Sequence, residues 1–400
     1  MRTNHQNAKP IVKLHAIFTM LVSVVVLLIP TVSTAQSYTF ETLYTFVGGA
    51  DGGPATAGLI QDASGNLYGV AHGDGINNNH GVIFKISPTG EYSVLHTFSG
   101  SPDGTDPGAR LVMDTTGNLY GTAGGGANGF GTVFKLTPSG QENVLYSFLG
   151  GADGVGPQGD LIMDTAGNFY GTTVEGGGTA CSSFGCGTVF KLSPDGSETV
   201  LHSFTDTPDG ANPQSGLVMD ANGNLYGTTF FGGTYNAGTV YKVSPTGAEV
   251  VLYSFKGKDG DGKYPLAKLY IDKAGNLFGT TLEGGRTAQC TGCGTIFELF
   301  ANGKEVILHA FNNQTDGAQP SGELVRDKVG NFYGTTVAGV HAGVVYELSP
   351  NGTLTVLQTF PNGSARDPYD GLLLDASGNL YGTLVAGGAH KLGVVFELKH

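Results

Sequence analysis

The chain has 400 residues, of which 67 are Gly and only 13% are charged, with a formal net charge of −13. So few Lys and Arg exclude the basic footprint of a nucleic-acid binder. With 40% hydrophobic residues spread evenly between the glycines, the composition points to many short strands joined by tight turns rather than to disorder.

The first element is a leader. Arg2, Lys9 and Lys13 precede an apolar run from Ala16 to Ile29, and Ser33 and Ala35 stand three and one residues before a cut at Gln36. This is the layout of a secretory signal peptide over residues 1–35. The alternative is an uncleaved anchor, for which the run is short against the ~20 residues a span needs. Cleavage removes three basic residues and no acidic one, taking the formal charge to −16. A secreted (extracellular or periplasmic) protein is expected, with no membrane span in the mature chain and no nucleic-acid partner.

Residues 36–400 repeat one unit seven times. GNLYG or a near copy begins at Gly65, Gly117, Gly167, Gly223, Gly275, Gly330 and Gly378, at intervals of 48 to 56 residues. Each repeat holds four strand-like runs, A to D. In the second these are Arg110–Asp114, Asn118–Ala123, Gly131–Leu136 and Glu142–Phe148, with the turn TPSG between C and D. Pro and Gly at the second and fourth turn positions suit a type I turn. Runs this short, rich in Val, Tyr, Phe and Thr, are poor helices and good strands.

Glu41–Phe46 reads as a D strand with no A, B or C before it, whereas the last repeat stops after C at Gly393–Lys399. One orphan strand and one missing strand make one blade if the ring closes. The expected architecture is all-β: a single seven-bladed β-propeller of four-stranded blades, closed by the N-terminal strand (41–46) pairing with the C-terminal blade. A monomer is expected.

The repeated GNLYGTT…GG…GTVFKL…G…VLYSF…DG…P resembles the GloVer (Gloeo/Verruco) tandem repeat family over the whole chain after the leader. The resemblance implies an exported or surface bacterial protein and brings no defined activity. Members vary in their C-terminal anchors, and a chain ending at its last repeat is expected to be freely secreted.

Residues repeated seven times are poor candidates for one active centre. The YG aromatics, such as Tyr68 and Tyr120, are expected to pack between blades, and the Asp of each DxxGN to bind turn amides. Asp-Gly recurs between D and A at Asp51, Asp103, Asp153, Asp209, Asp259 and Asp316, with Asn362-Gly363 in the seventh copy. A carboxylate crown holding Ca²⁺ is the functional alternative there to plain turn chemistry, although the EF-hand ligand spacing is missing. No cofactor is expected otherwise. The D–A and B–C loops share one face, and their variation marks it as the ligand face. Its unrepeated residues include His72, His80, Glu175, Tyr235, Glu283, Arg286, His341, His390 and Lys391.

Just before the Leu of each strand A stand Gly58, Arg110, Asp160, Gly216, Lys268, Glu323 and Gly371. Strand A should line the central channel, so Arg110, Asp160, Lys268 and Glu323 are the candidate ligand-binding set at its mouth. The alternative is a group of mutually compensating charges in a wet channel. All four cysteines lie in two B–C loops. Cys181 with Cys186 and Cys290 with Cys293 are expected as local disulfides, against a redox or zinc role for the CxxC pair. The functional expectation is a non-catalytic binding or scaffold propeller for an extracellular glycan, wall polymer or protein. A metal-dependent lyase or lactonase at the channel mouth is the alternative.

Overall fold

The computed structural model describes residues 1, 38–73, 80–179, 181, 184–339, 341–361 and 365–400. The expected leader, apart from Met1, and Asn362-Gly363 lie outside the described residues. Apart from one 3-10 turn at Gly49–Asp51, the regular structure described is β.

Seven antiparallel sheets of four strands follow one another along the chain. In blade 2 the order is A (Val112–Met113), B (Leu119–Ala123), C (Thr132–Leu136) and D (Glu142–Ser147). Every A strand is only two residues long, shorter than its apolar run. The Asp that follows has left the ladder for the A–B turn: Asp114 Oδ1 accepts from the amides of Thr116 and Asn118 at 2.9 and 3.0 Å, and Oδ2 accepts from Asn118 Nδ2 at 2.7 Å and the Tyr120 hydroxyl at 2.9 Å. These bonds outweigh burial and hold the Asp114 carboxyl well below the usual carboxylate range, while burial and the neighbouring carboxylate push Tyr120 up to about 12. All seven DxxGN aspartates take amide bonds of this kind.

The last blade is completed from the other end of the chain. Leu373–Leu374, Leu380–Leu384 and Val394–Lys399 supply A, B and C, and Thr39–Thr45 pairs antiparallel with Val394–Lys399 as D. This strand starts and ends slightly before the 41–46 read from sequence, with a register shift between Thr42 and Tyr44. Phe46 extends the contact by donating its amide to the Gly393 carbonyl at 3.2 Å.

Blade contacts repeat as strictly as the sequence. The Phe that closes strand D meets a Phe or Tyr of strand C in the next blade: Phe46–Phe84, Phe98–Phe134, Phe148–Phe190, Phe204–Tyr241, Phe255–Phe297, Phe311–Tyr346 and Phe360–Phe396 have centroids 4.9–5.7 Å apart. These tilted to edge-on rings, buried throughout, suit the aromatic quadrupole and bury about 1.5–3 kcal/mol of transfer energy per side chain. The YG aromatics also face the following blade, as Tyr68 does among Leu111, Leu119 and Phe134.

Candidate functional site

On one face, each D–A loop pairs with the B–C loop of the blade it enters, as in Thr105 with Gly124, Val155 with Glu175 and Ala211 with Phe231. The loops then descend toward strand A, and the residues just before the seven A strands surround a cavity of about 530 Å³ on the channel axis. Of the ring positions read from sequence, Asp160, Gly216, Lys268 and Glu323 line this cavity.

Arg110 Nη1 pairs with Glu323 Oε1, and Lys268 Nζ lies 3.6 Å from Asp160 Oδ2. Asp160 also accepts the Arg110 backbone amide at 2.8 Å. These pairs do not join neighbouring blades. Arg110 reaches from blade 2 past blades 1 and 7 to blade 6, and Lys268 from blade 5 past blade 4 to blade 3. The positions passed over are Gly58, Gly371 and Gly216. A Cβ at Gly58 would occupy the place of the Arg110 guanidinium, and one at Gly216 would meet Asp160 and Lys268. Glycine in three ring positions makes room for four charged side chains in the others. Asp160, Lys268 and Glu323 of these pairs line the cavity, and Arg110 does not.

Sequence reading missed the fifth charge. The residue before the ring position is Ala57, Ala109, Gly159, Ser215, Ala267 or Gly322 in six blades and Asp370 in the seventh. Asp370 accepts the amides of Gly371 at 2.7 Å and of Gly58 across the ring seam. Burial raises its pKa against the pull of the Arg110 guanidinium, with Asp160 adding to the rise. Arg110 Nε and Nη2 are buried with no hydrogen-bond partner among the described residues. A charged residue at a position otherwise reserved for small ones was the available signal.

Two residues before the ring, the blades supply Thr56, Gln158, Gln214, Ser321 and the half-exposed Tyr369 to the wall. His72, singled out from sequence, lines the same cavity, with Nε2 2.8 Å from Thr56 Oγ1. Burial lowers its pKa, partly opposed by Asp106. Glu283, by contrast, pairs with Lys263 at 3.1 Å outside the cavity.

The carboxylate crown is turned onto its own loops. Asp103 Oδ2 accepts the Ser99 amide at 3.1 Å and faces His96 Nε2 at 3.2 Å. Asp209 and Asp316 repeat this with His202 and His309, while Asp51 and Asp153 take Tyr44 and Tyr146 hydroxyls. In blade 5 the position belongs to Asp261, bonded to Tyr253, and not to Asp259. A two-residue shift in that loop explains the misassignment. Among the described residues no three His, Cys, Asp or Glu side chains are grouped to hold a metal ion. Cys181–Cys186 and Cys290–Cys293 are disulfides. Among the described residues no helix is long and apolar enough to cross a membrane.

Several solved propellers share this architecture at low identity. Virginiamycin B lyase from Staphylococcus aureus superposes with a TM-score of 0.62 at 14% identity, over 91% of this chain and all of the lyase. The extracellular domain of a B. thetaiotaomicron protein described as a hybrid two-component system gives 0.59 at 11%, over 90% of this chain and 39% of that one. PorZ, a surface component of the type-IX secretion system of Porphyromonas gingivalis, gives 0.57 at 15%, over 89% and 48%. These likenesses establish the fold and span both enzymes and extracellular domains. No curated protein matches the sequence. The Gloeobacter/Verrucomicrobia repeat model matches residues 29–184 and 178–396, and the chain belongs to that repeat family.

Proposed function

We propose that this propeller is a secreted binding protein whose loop face holds a glycan or hydroxyl-rich wall polymer in the cup at the channel mouth. The observation that carries the reading is the cup itself: a concave space of about 530 Å³ lined by ion-paired charges and by hydroxyl and amide side chains that differ from blade to blade. That size falls in the range of small-ligand sites. A protein partner would instead need a broad face of about 800 Å². Two disulfides suit an oxidising compartment.

The charge balance refines the ligand. Asp106, Asp160, Glu323 and Asp370 line the cup against one cation, Lys268, which is paired with Asp160, while Arg110, outside the lining, pairs with Glu323. The cup therefore favours uncharged or amine-bearing groups over anionic ones. The same pairing weakens the metal-enzyme alternative, because a divalent ion would have to displace a guanidinium or an ammonium from its carboxylate.

Calorimetric titration with soluble neutral oligosaccharides tests the reading. A Gln158→Ala/Gln214→Ala variant should bind at least tenfold more weakly with its unfolding midpoint unchanged. Equal affinity in variant and parent, or no saccharide binding by the parent, would overturn the assignment.

A further inference from the structure

Outside the cup, where blades 4 and 5 meet, stands an aromatic cluster. Phe230 stacks on Tyr264 with centroids 4.8 Å apart and planes 15° from parallel, and Phe231 lies edge-on to both at 4.7 and 5.3 Å. Phe231 remains 38% exposed and Tyr235, in the same loop, 49%. Lys263 Nζ sits over the Tyr264 ring, 4.0 Å from its centroid, and bonds Glu283, so Tyr264 is covered by Phe230 and by this ion pair beside the exposed Phe231.

Two observations set it apart from ordinary packing. Tyr264 has φ 60°, a left-handed conformation that is uncommon for a bulky side chain. The corresponding residue before Pro also has positive φ in five other blades, where it is Asp106, Gly156, Asn212, Gln319 or Asp367. Those types, most of them Gly, Asn or Asp, tolerate the geometry better. The loop sets this backbone in each of those blades, but a tyrosine occupies it in this blade alone, where its ring backs Phe231. The second observation is continuity. Phe230 follows strand B at the same place as His72 and Gly124, both of which line the cup, and Leu266 of the cup wall is two residues beyond Tyr264.

We infer that Phe231, backed by Tyr264, forms a shelf over which a non-acidic pyranose chain leaves the cup, one end sugar sitting in the cup and later units lying against the exposed Phe231 ring. The apolar C–H face of a pyranose packs on an aromatic surface, and its equatorial hydroxyls reach Lys263 and Glu283 at the shelf's edge. The inference rests on the glycan reading of the cup and adds a polymer length and direction to it.

The test uses β-1,4-linked glucose and glucosamine oligomers of two and six units, with a galacturonic acid hexamer as the acidic comparison. The shelf predicts that at least one hexamer binds tenfold or more tightly than its dimer and that the acidic hexamer binds more weakly. Phe231→Ala should remove most of that length advantage and leave dimer affinity unchanged. Tyr264→Asn, which places at this site the residue type found in blade 4, keeps the backbone satisfied and should have the same effect. Equal affinities for dimer and hexamer, or a length advantage intact in both variants, would overturn the shelf while leaving the cup. Failure of every oligomer to bind would overturn both.

Discussion

At residue scale, the most informative atoms are the hydroxyls of Tyr241 and Tyr346. Both residues occupy the strand C position that is Phe in the other five blades, and both hydroxyls are buried without a partner among the described residues. Burial pushes each phenol's pKa far above its usual range. Each hydroxyl points at the backbone of the YG glycine, Gly227 or Gly334, where a Cβ would collide with it. An unsatisfied buried hydroxyl costs about 1–3 kcal/mol, whereas the ring packing would survive its removal. Tyr241→Phe and Tyr346→Phe should therefore each raise stability by about 1 kcal/mol in urea titrations, and a loss of stability would show that an unseen donor or acceptor serves these groups. The same scale explains the limits of reading this sequence. Arg110, Asp160, Lys268 and Glu323 were legible because they vary at a fixed place in a repeat. Their partners across the ring were not, since which ring members meet depends on the glycines that let long side chains pass. Asp370 was hidden in a position that six small residues make look structural, and Tyr264 in a loop whose φ values no spacing reveals.

Strands and blades were far more legible, because each of seven copies reports the same hydrogen-bonding and burial demands and errors in one are corrected by the rest. The orphan strand at 41–46 and the missing one after Lys399 implied closure by arithmetic alone. What arithmetic could not supply was the strength of the seam. Phe46, which follows the closing strand, meets Phe84 of blade 1 at 5.6 Å with the same edge-on geometry as Phe148–Phe190 at 5.2 Å, and both Phe46 and Phe148 are fully buried. Deleting a buried Phe side chain costs about 3–5 kcal/mol. Phe46→Ala and Phe148→Ala should thus lower stability by similar amounts, read from chemical denaturation of the two variants side by side. A much smaller loss at Phe46 would mean that the closing strand frays in solution and that the ring is held by six blades.

For the whole molecule, repetition multiplies an electrostatic feature that would be minor once. Glu142, Glu198, Glu249 and Glu305 open strand D in four successive blades, each with Oε1 buried and lacking a donor among the described residues. Burial, reinforced by Asp103, Asp153 and Asp261 respectively, pushes Glu142, Glu198 and Glu305 from 4.5 up to about 7; Glu249 is raised as well. A carboxyl whose pKa is higher folded than unfolded stabilises the fold fully below the unfolded value, and that contribution is lost as pH rises through the folded one. The DxxGN aspartates, lowered in the fold, act oppositely: their contribution is present above the ordinary carboxylate range and disappears in acid. Stability should accordingly peak near the upper end of the ordinary carboxylate range and decline from about pH 5 to about pH 8. Because these glutamates are partly exposed, solvent screening keeps each increment small, and the effect is visible through its repetition. A Glu142→Gln/Glu198→Gln/Glu305→Gln variant should flatten the decline while preserving the loss of stability in acid. Thermal unfolding of parent and variant across that range decides the matter: an unchanged slope in the variant would place the titrating groups elsewhere, with the charged residues lining the cup the next set to substitute.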